Sequence, residues 1–342
     1  LIDEEHDTSY LSESNPRYDT KRIAEYRAKA NGGVLVLGSA TPDMDTYLKA
    51  TQGEYHLITL KNRISKHALP EMEIVDMTQE FRMGNRSLFS VALQDALKET
   101  IARGEQAMLF LNRRGFASFI RCKECGYVAK CEDCDVSLTY HKEDNELKCH
   151  YCGRRYHALT KCPNCGSDQI KQGRIGTEKV VDELKKLIPD VRVLRMDNDT
   201  TVRKDSYFKI LSAFADKQAD VLVGTQMIAK GHDFANVTLV GILEADAALY
   251  FSDYRSSERT FQLITQVAGR AGRADKAGRV ILQTYAPKHY VFRFGKNYDY
   301  LGFWKKEINT RMVTKFPPFT NVVRILCTSV NEQDVVDTTR NI

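Results

Sequence analysis

The sequence contains no run of about 18 consecutive apolar residues, the length that a membrane-spanning helix needs. Its start has no basic segment followed by an apolar stretch, so a secretory signal is not predicted. No initiator methionine precedes Leu1, and internal repeats and low-complexity tracts are missing apart from four Cys-x-x-Cys pairs. We therefore expect a globular protein with no membrane partner, whose chain is one piece of a longer protein.

Cysteine is scarce outside a single block. Eight of the nine cysteines lie between Cys122 and Cys165, and only Cys327 stands elsewhere. Such clustering in a long, otherwise cysteine-poor chain favours metal ligands over disulfides, and zinc thiolates fit a reducing cytoplasm. The net charge of +5 is compatible with a polyanionic partner, but it is weak evidence because many proteins carry a similar excess.

The four pairs are Cys122/Cys125, Cys131/Cys134, Cys149/Cys152 and Cys162/Cys165. Structural zinc takes four ligands in a closed tetrahedron, so eight thiolates predict two sites. We expect a nested arrangement, in which the outer two pairs hold zinc 1 at the base of an insert and the inner two hold zinc 2. The alternative joins neighbouring pairs in order. Gly126, Gly153 and Gly166 each follow a pair, where a tight turn requires positive φ.

The remaining polar residues of this block leave two interpretations open. The basic side chains Lys123, Lys130, Arg154, Arg155 and Lys161 form either a solvated face or a contact surface for nucleic acid or protein. The histidines at 141, 150 and 157 are predicted to be surface residues, since eight thiolates already satisfy two ions.

Outside the cysteine block, apolar runs alternate with amphipathic stretches, which is typical of an α/β protein with parallel strands. Strands are predicted at residues 34–37, 72–75, 107–111, 191–194, 221–223, 237–243, 280–283 and 322–327. Helices are predicted at residues 91–102, 177–187, 204–215 and 258–268. The second of these helices carries a stripe of apolar residues at helical spacing, which predicts a core-facing side: Val180, Val181, Leu184, Leu187 and Ile188.

Four polar strings follow predicted strands or close a helix. They are Asp3-Glu4-Glu5-His6, residues 38–42 (GSATP), residues 224–233 (GTQMIAKGHD) and residues 266–273 (QVAGRAGR). Paired acids can hold Mg²⁺ and polarise a water, and rigidly held arginines can neutralise charge on a transferred phosphoryl group. Each string has an ordinary alternative, because acid pairs are common on surfaces and basic residues favour helix C-termini.

In this order the four strings resemble motifs II, III, V and VI of superfamily-two helicases. The resemblance implies that Asp3 organises Mg²⁺, that Glu4 is the catalytic base, and that Arg270 and Arg273 contact the γ-phosphate from a second lobe. It further implies nucleotide contacts from His6, Gly231, Asp233 and Gln266. DNA contacts are implied for Tyr10, Tyr18, Thr41, Arg113, Arg114, Thr225 and Gln226. Asn15-Pro16 stands where such helicases often carry an aromatic residue in the loop between motifs II and III.

The string 110–116 (FLNRRGF), the four cysteine pairs, Gly176-Thr177-Glu178 and residues 253–259 (DYRSSER) give a closer resemblance, to the bacterial primosomal replication-restart helicases. This resemblance implies an ATP- and Mg²⁺-dependent 3′→5′ DNA helicase, monomeric and cytoplasmic beside the nucleoid, that restarts replication through primosome assembly. Its partners would be stalled or branched forks, single-stranded DNA, single-strand-binding protein, primosome proteins and replicative-helicase loading proteins.

The implied fold is α/β, with tandem RecA-like helicase lobes, an inserted two-zinc module and a small α+β C-terminal domain. We expect a partial first lobe at residues 1–62, a linker at 63–90 and a second lobe at 91–121 and 166–290. The zinc insert would occupy residues 122–165, and the C-terminal domain would begin at residue 291.

The P-loop pattern G-x-x-x-x-G-K-[ST] occurs nowhere in the sequence, although a helicase motor needs it to hold the β- and γ-phosphates. It would precede the acid pair, so we expect the chain alone to hydrolyse ATP negligibly. Two other classes compete with the restart helicase. One is a superfamily-two helicase with a different biological role, and the other is a non-enzymatic zinc-containing nucleic-acid-binding module on an α/β scaffold.

Overall fold

The computed structural model describes residues 1–12, 14–60, 69–112, 119–141, 143–172, 175–197, 199–201, 205–229, 234–251, 253–272, 277–323, 325 and 327–342. The chain divides into two compact units. Unit 1 comprises Leu1–Leu57 and Trp304–Ile342, and unit 2 comprises Ile58–Phe303. None of the described helices combines the length and the apolarity required to traverse a bilayer.

The elements follow one another along the chain as short strands and helices. The strands are β1 (Ile2–Asp3), β2 (Leu37–Gly38), β3 (Glu71–Asp76), β4 (Gln106–Leu111), β5 (Ile120–Cys122), β6 (Thr139–His141), β7 (Glu146–Lys148), β8 (Arg155–His157), β9 (Ile170–Gln172), β10 (Val193–Met196), β11 (Val221–Gly224), β12 (Val237–Leu243) and β13 (Arg279–Thr284). The helices are α1 (Thr20–Ala30), α2 (Met44–Thr51), α3 (Met77–Arg82), α4 (Val91–Ala102), α5 (Thr177–Leu187), α6 (Ser206–Ala215), α7 (Ser256–Ala268), α8 (Tyr290–Lys296), α9 (Tyr300–Thr314) and α10 (Glu332–Arg340).

Unit 1 is built on a parallel pair of strands, in which Ile2 of β1 lies opposite Leu37 of β2. The predicted strand at residues 34–37 is shorter than expected, because only Leu37 and the following Gly38 pair. In the C-terminal part of this unit, the Trp304 indole contacts the Tyr47 ring edge-on at 5.0 Å. Its Nε1 donates to the carbonyl of Met44 on α2, so Trp304 packs against α2.

Unit 2 contains a six-stranded parallel sheet in the order β10-β11-β4-β12-β13-β3. β4, β11 and β12 are buried along their full length, as expected of strands with helices on both faces. The α/β fold class is confirmed, and the parallel sheet places the carboxyl ends of all six strands at one edge. Ligand sites in open α/β sheets are found at that edge.

The helices of unit 2 pack through the apolar stripes that the sequence predicts. In α5, Val180 and Leu184 are fully buried, and Val181, Leu187 and Ile188 pack against the same core. α4 begins at Ser90, whose hydroxyl accepts from the Leu93 backbone N–H at 3.2 Å and so caps the first turn. The helix then buries Leu93 and Leu97 against the sheet.

Three predicted boundaries differ from the structure. β3 lies within the expected linker at residues 63–90, yet it pairs with β13 as the edge strand of the sheet. The expected C-terminal domain starts at residue 291, whereas α8 and the first turn of α9 belong to unit 2. There the Phe303 ring stacks on Phe261 at 4.2 Å. The described residues of the predicted strand at 322–327 are not in a strand.

Leu93→Ala tests this core because Leu93 is fully buried against β4 and β12. Removal of its side chain is expected to lower the free energy of unfolding by about 2–5 kcal/mol through lost burial and a cavity. The matched control Val91→Ala lies on the same helix with 52% of its surface exposed, and it should change stability by no more than about 0.5 kcal/mol. Equal shifts of the urea midpoint in the two variants would contradict the packing.

Candidate metal centres and motor motifs

The eight clustered cysteines form two separate four-sulfur sets. One set is Cys122, Cys125, Cys162 and Cys165, and the other is Cys131, Cys134, Cys149 and Cys152, with all sulfurs of a set within 4.8 Å of one another. The nested pairing is therefore confirmed, and the sequential alternative is wrong.

The spacing of the sulfurs matches a tetrahedral metal. Cys122 Sγ lies 3.6 Å from Cys165 Sγ, and Cys125 Sγ lies 3.5 Å from Cys162 Sγ. In the second set, Cys131 Sγ and Cys152 Sγ are 3.7 Å apart. Zn–S bonds of about 2.3 Å in a tetrahedron require sulfurs roughly 3.8 Å apart. The residues present therefore fit two structural zinc ions without movement of the backbone.

Each cysteine pair sits on a turn in which a backbone N–H returns to the first cysteine. Gly126 N donates to the Cys122 carbonyl at 3.0 Å, and Gly153 and Gly166 make the same bond at their own pairs. All three glycines have φ near +75°, as their position after each pair predicts. The fourth turn has Asp135 at the same position, with φ +53°. Its side chain makes this left-handed conformation strained, whereas glycine adopts it without strain in the other three turns.

Zinc site 1 closes the base of the insert against the sheet. β5 and β9 pair antiparallel, with Cys122 opposite Ile170. The inner site is carried by a separate three-stranded antiparallel sheet of β6, β7 and β8. A Cβ at Gly126 would approach the Tyr285 carbonyl oxygen, which follows β13, to 2.5 Å. The insert thus packs backbone to backbone on the carboxyl edge of the large sheet.

A buried ion-pair network, which the sequence did not predict, fixes this base. Arg121 is 1% exposed, and its guanidinium donates to Asp246 at 2.9 Å and to Glu244 at 2.5 Å. Lys171 of β9 donates to the same Glu244 carboxylate. Asp246 also accepts from the Tyr285 backbone N–H at 3.1 Å. Two cations on β5 and β9, at the base of the insert, therefore meet two acids that follow β12, and the charges balance.

The network determines the ionisation of Glu244. Burial raises the pKa of this carboxyl, but Lys171 and Arg121 outweigh burial and lower the pKa from 4.5 to about 2. A depressed carboxyl pKa stabilises the fold above pH 4.5, and that contribution is lost as the pH falls towards 2. Glu244 also has φ +46°, a conformation that costs a non-glycine residue roughly 1–3 kcal/mol. The ion pairs offset this strain.

The charged surface of the insert is largely paired. Arg154 contacts Asp133 at 2.8 Å and Lys130 contacts Asp135 at 3.0 Å, both in exposed positions. These pairs favour the solvated-face interpretation over a continuous basic contact surface. His150 and His157 are exposed as predicted, whereas His141 is only half exposed and its Nε2 is buried.

In unit 1, the acid pair and the small-residue turn lie side by side. Asp3 at the end of β1 is in register with Gly38, and His6 Nδ1 lies 2.7 Å from the Ser39 hydroxyl. That hydroxyl accepts from the Thr41 backbone N–H at 3.0 Å. The strings resembling motifs II and III are therefore joined by hydrogen bonds, an arrangement that can pass a displacement of one to the other.

The third acid of the string, Glu5, was not predicted as a site residue. It is 1% exposed and accepts from Lys21 Nζ at 2.7 Å, from the Asp43 backbone N–H at 2.7 Å and from the Thr46 hydroxyl at 3.2 Å. Burial and Asp43 raise its pKa, and Lys21 opposes them. Glu5 thus anchors the turn, while Asp3 is exposed and Glu4 partly exposed. Three acids in a row carry no signal that separates the buried one.

In unit 2, Arg270 is tied to the loop that follows β11. Its Nε and one terminal nitrogen donate to the Ala229 carbonyl at 3.0 and 2.6 Å. Gln226 Nε2 in the same loop lies 3.5 Å from Asn112 Oδ1 after β4. Thr225 is nearly buried beside it. The strings resembling motifs V and VI therefore form one connected surface, and Gln266 lies in the last turn of α7.

Several predicted site residues are not part of this geometry. Arg113, Arg114, Gly231, Asp233 and Arg273 lie outside the described residues. The Tyr10 hydroxyl donates to the Asp3 carbonyl at 2.9 Å, and the ring of Tyr18 is half exposed.

Two family models match the chain. One describes the PriA DNA helicase Cys-rich region domain and covers residues 131–155, and the other describes the helicase conserved C-terminal domain and covers residues 170–275. Replication restart protein PriA of Bacillus subtilis (strain 168) is 52% identical over 319 residues, which is 93% of this chain. The matched region belongs to the PriA family.

PriA of Synechocystis sp. is 42% identical over 99% of this chain, and PriA of Rickettsia prowazekii is 36% identical over 100% of it. The chain spans 40%, 42% and 53% of the lengths of these three relatives. A solved structure of RecG bound to a three-way DNA junction aligns over 91% of the chain and 31% of its own, at 13% identity and a TM-score of 0.46. That likeness is too low to define the fold.

Two independent zinc sites predict the result of removing one ligand. Cys134→Ser should reduce the zinc content from two ions per chain to one, because zinc site 1 keeps its own four sulfurs. Cys327→Ser is the control, since this cysteine belongs to neither set, and it should retain two ions. Metal analysis after gel filtration measures both. Loss of both ions from Cys134→Ser would contradict independence.

Gly126→Ala and Gly166→Ala separate turn strain from docking. Both positions have φ of +74°, so each alanine should cost about 1–2 kcal/mol of backbone strain. Only the Gly126 methyl group meets a backbone oxygen, and the space around Gly166 is open. Gly126→Ala should therefore lower the unfolding midpoint clearly more than Gly166→Ala, as thermal unfolding of the zinc-loaded protein would measure. Equal losses would show that the insert does not pack as described.

Proposed function

We propose that this chain carries the end of the first lobe, the second lobe and the zinc module of an ATP-driven DNA helicase that restarts stalled replication. The observation that carries the proposal is its 52% identity to the B. subtilis replication restart protein across 93% of the chain. The connected motif II–III and motif V–VI surfaces are compatible with it. The P-loop pattern that ATP hydrolysis requires is not in this sequence, so the activity belongs to a chain of the relatives' length.

We assign the chemistry of ATP hydrolysis to four residues. Asp3 supplies carboxylate oxygen to Mg²⁺, and Glu4 accepts the proton of the water that attacks the γ-phosphorus. The bond to the β-phosphate oxygen breaks, giving ADP and inorganic phosphate. Arg270 and Arg273 donate to the γ-phosphate oxygens as negative charge develops. His6, Gln266, Gly231 and Asp233 complete the nucleotide contacts.

Coupling to DNA runs through hydrogen bonds that adjoin these residues. The His6–Ser39 contact joins the acid pair to Thr41, which we assign to the DNA strand. Thr225 and Gln226 are assigned to the phosphate backbone next to the Arg270 loop, and Arg113 and Arg114 complete this set. Tyr18 has an exposed ring that can stack on a base. Tyr10 is the weaker candidate, because its hydroxyl is already bound.

The finer biological assignments follow from family membership. We propose 3′→5′ movement on single-stranded DNA, recognition of branched forks, and contacts with single-strand-binding protein, primosome proteins and replicative-helicase loaders. The setting would be the bacterial cytoplasm, beside the nucleoid. The zinc module contributes a rigid body, since its metal sites and Arg121 network fix it to the sheet edge.

Arg273→Ala in a chain of the relatives' length tests the motor. ATPase activity stimulated by DNA should fall by at least about 10³-fold, the effect typical of an arginine finger. Arg279→Ala is the matched control, because Arg279 is exposed and pairs only with Glu73 among the described residues. Retained ATPase in Arg273→Ala would refute the motor. Retained restart function without ATPase would identify the non-enzymatic zinc module instead.

A further inference from the structure

A cavity of about 220 Å³ lies where the zinc insert meets the large sheet. Its walls come from the carboxyl ends of β12 and β13, from α3 and the residues after it, from the base of the insert and from the first turn of α5. Four cationic and two aromatic side chains among the lining residues determine the chemistry of the cavity: Arg86, Lys123, Lys171, Lys179, Phe81 and Tyr285. The cavity is separate from the motif V–VI surface, whose residues do not line it.

The charges around the cavity do not balance. Glu244 is the only acid among the described lining residues, and both Arg121 and Lys171 already bind it. Among the described residues, no carboxylate lies within ion-pair distance of Arg86, Lys123 or Lys179. Three positive charges therefore line the cavity without an ion-pair partner in the part of the chain that the structure describes, and each repels the others in a partly enclosed space.

Two of these cations share one aromatic ring. The Arg86 guanidinium lies 3.6 Å from the centre of Phe81, and Lys123 Nζ lies 5.6 Å from the same centre. Arg86 also donates to the Phe81 carbonyl at 2.7 Å, so its position is fixed. Cation–π contacts hold the two groups close together without neutralising either one. An arrangement of this kind is pre-organised for an anion.

Zinc site 1 fixes the backbone of Lys123 at the wall of the cavity. Lys123 lies between the zinc ligands Cys122 and Cys125, and its backbone N–H donates to the Gln169 carbonyl at 2.9 Å. The metal site therefore determines where this ammonium group is. Lys179 of α5 also lines the cavity, as do Asn85 and Gln283, whose amide nitrogens already donate to Glu80, Phe89 and Leu88. Several cations that line one cavity suit a tetrahedral oxyanion.

We propose that this cavity binds a phosphate group of a nucleic-acid strand, held chiefly by Lys123 and Lys179 with Arg86 as the third donor. The inference deepens the proposed function, on which it rests for the identity of the polyanion. It assigns the zinc insert a direct role in holding the strand, in addition to the motif V–VI surface.

The test compares two double variants of the zinc-loaded protein. Lys123→Gln with Lys179→Gln removes two cavity charges, and Arg82→Gln with Lys186→Gln removes two exposed charges outside the cavity. The affinity for a single-stranded oligonucleotide is measured over a salt series. Each lost phosphate should reduce the magnitude of the slope of log K against log salt by about 0.7, so the cavity variant, which loses one phosphate, should lose roughly 0.7 and the control should not. At about 0.1 M salt this corresponds to roughly a 5-fold rise in Kd.

A cavity variant whose slope equals that of the control would overturn the proposal. Titration with inorganic phosphate, followed by the ring resonances of Phe81 and Tyr285, separates the cavity from the proposed function. One outcome supports phosphate recognition but refutes the DNA function. In it, the unaltered protein binds no oligonucleotide, phosphate shifts its ring resonances saturably, and these shifts are absent from the cavity variant. If phosphate causes no shift, the cavity proposal is wrong even where DNA still binds elsewhere.

Discussion

The buried guanidinium of Arg121 holds the zinc-bearing insert on the sheet. This side chain extends from β5 into a buried environment. Burial lowers the pKa of the guanidinium, but Asp246 and Glu244 outweigh burial and hold the pKa above its ordinary value. A buried ion pair stabilises a fold little more than apolar packing would. Removal of one partner, however, leaves the other charge buried and unpaired, which costs about 3–5 kcal/mol. The network therefore adds specificity of position. The insert can occupy only the place where both acids meet their cations.

Zinc and the ion-pair network act on different scales. Eight thiolates fix the inside of the insert, which buries only a small cluster of apolar residues around Ile120, Leu138 and Leu147. Such a core is too small to fold without metal. The Arg121 network and the close approach of Gly126 to Tyr285 then fix the insert as a rigid body.

The sequence predicts those parts of the molecule whose signals are local. The sequence predicts helix α5 at its observed bounds because its apolar stripe has helical period, and β12 because its run is apolar apart from Thr238. The fourteen residues between Cys134 and Cys149 favour the nested cysteine pairing, but the alternative of neighbouring pairs is excluded only by the structure. β3 was misassigned to a linker, since its partner β13 lies about 200 residues later and nothing in a short mixed strand indicates that pairing.

The same limit explains the missed site residues. Arg121 and Glu244 are 123 residues apart, and each in isolation is an ordinary charged residue beside a strand. Glu5 differs from Asp3 and Glu4 only in the direction of its side chain, which depends on Lys21 and Thr46. The role of a buried charge depends on partners that are distant in sequence. The sequence therefore predicts the motifs, but it does not predict the buried residues that hold those motifs in position.

The parallel sheet relates these sites physically. Thr225 and Asn112 follow β11 and β4, on one half of the carboxyl edge, whereas Glu244 and Tyr285 follow β12 and β13 on the other half. β4 and β12 are adjacent and fully buried, so the two halves cannot shift independently without breaking the pairing of these two strands. A strand phosphate held at the insert and one held beside Arg270 would therefore keep a fixed separation within this unit, and the strand would move with the unit as one body.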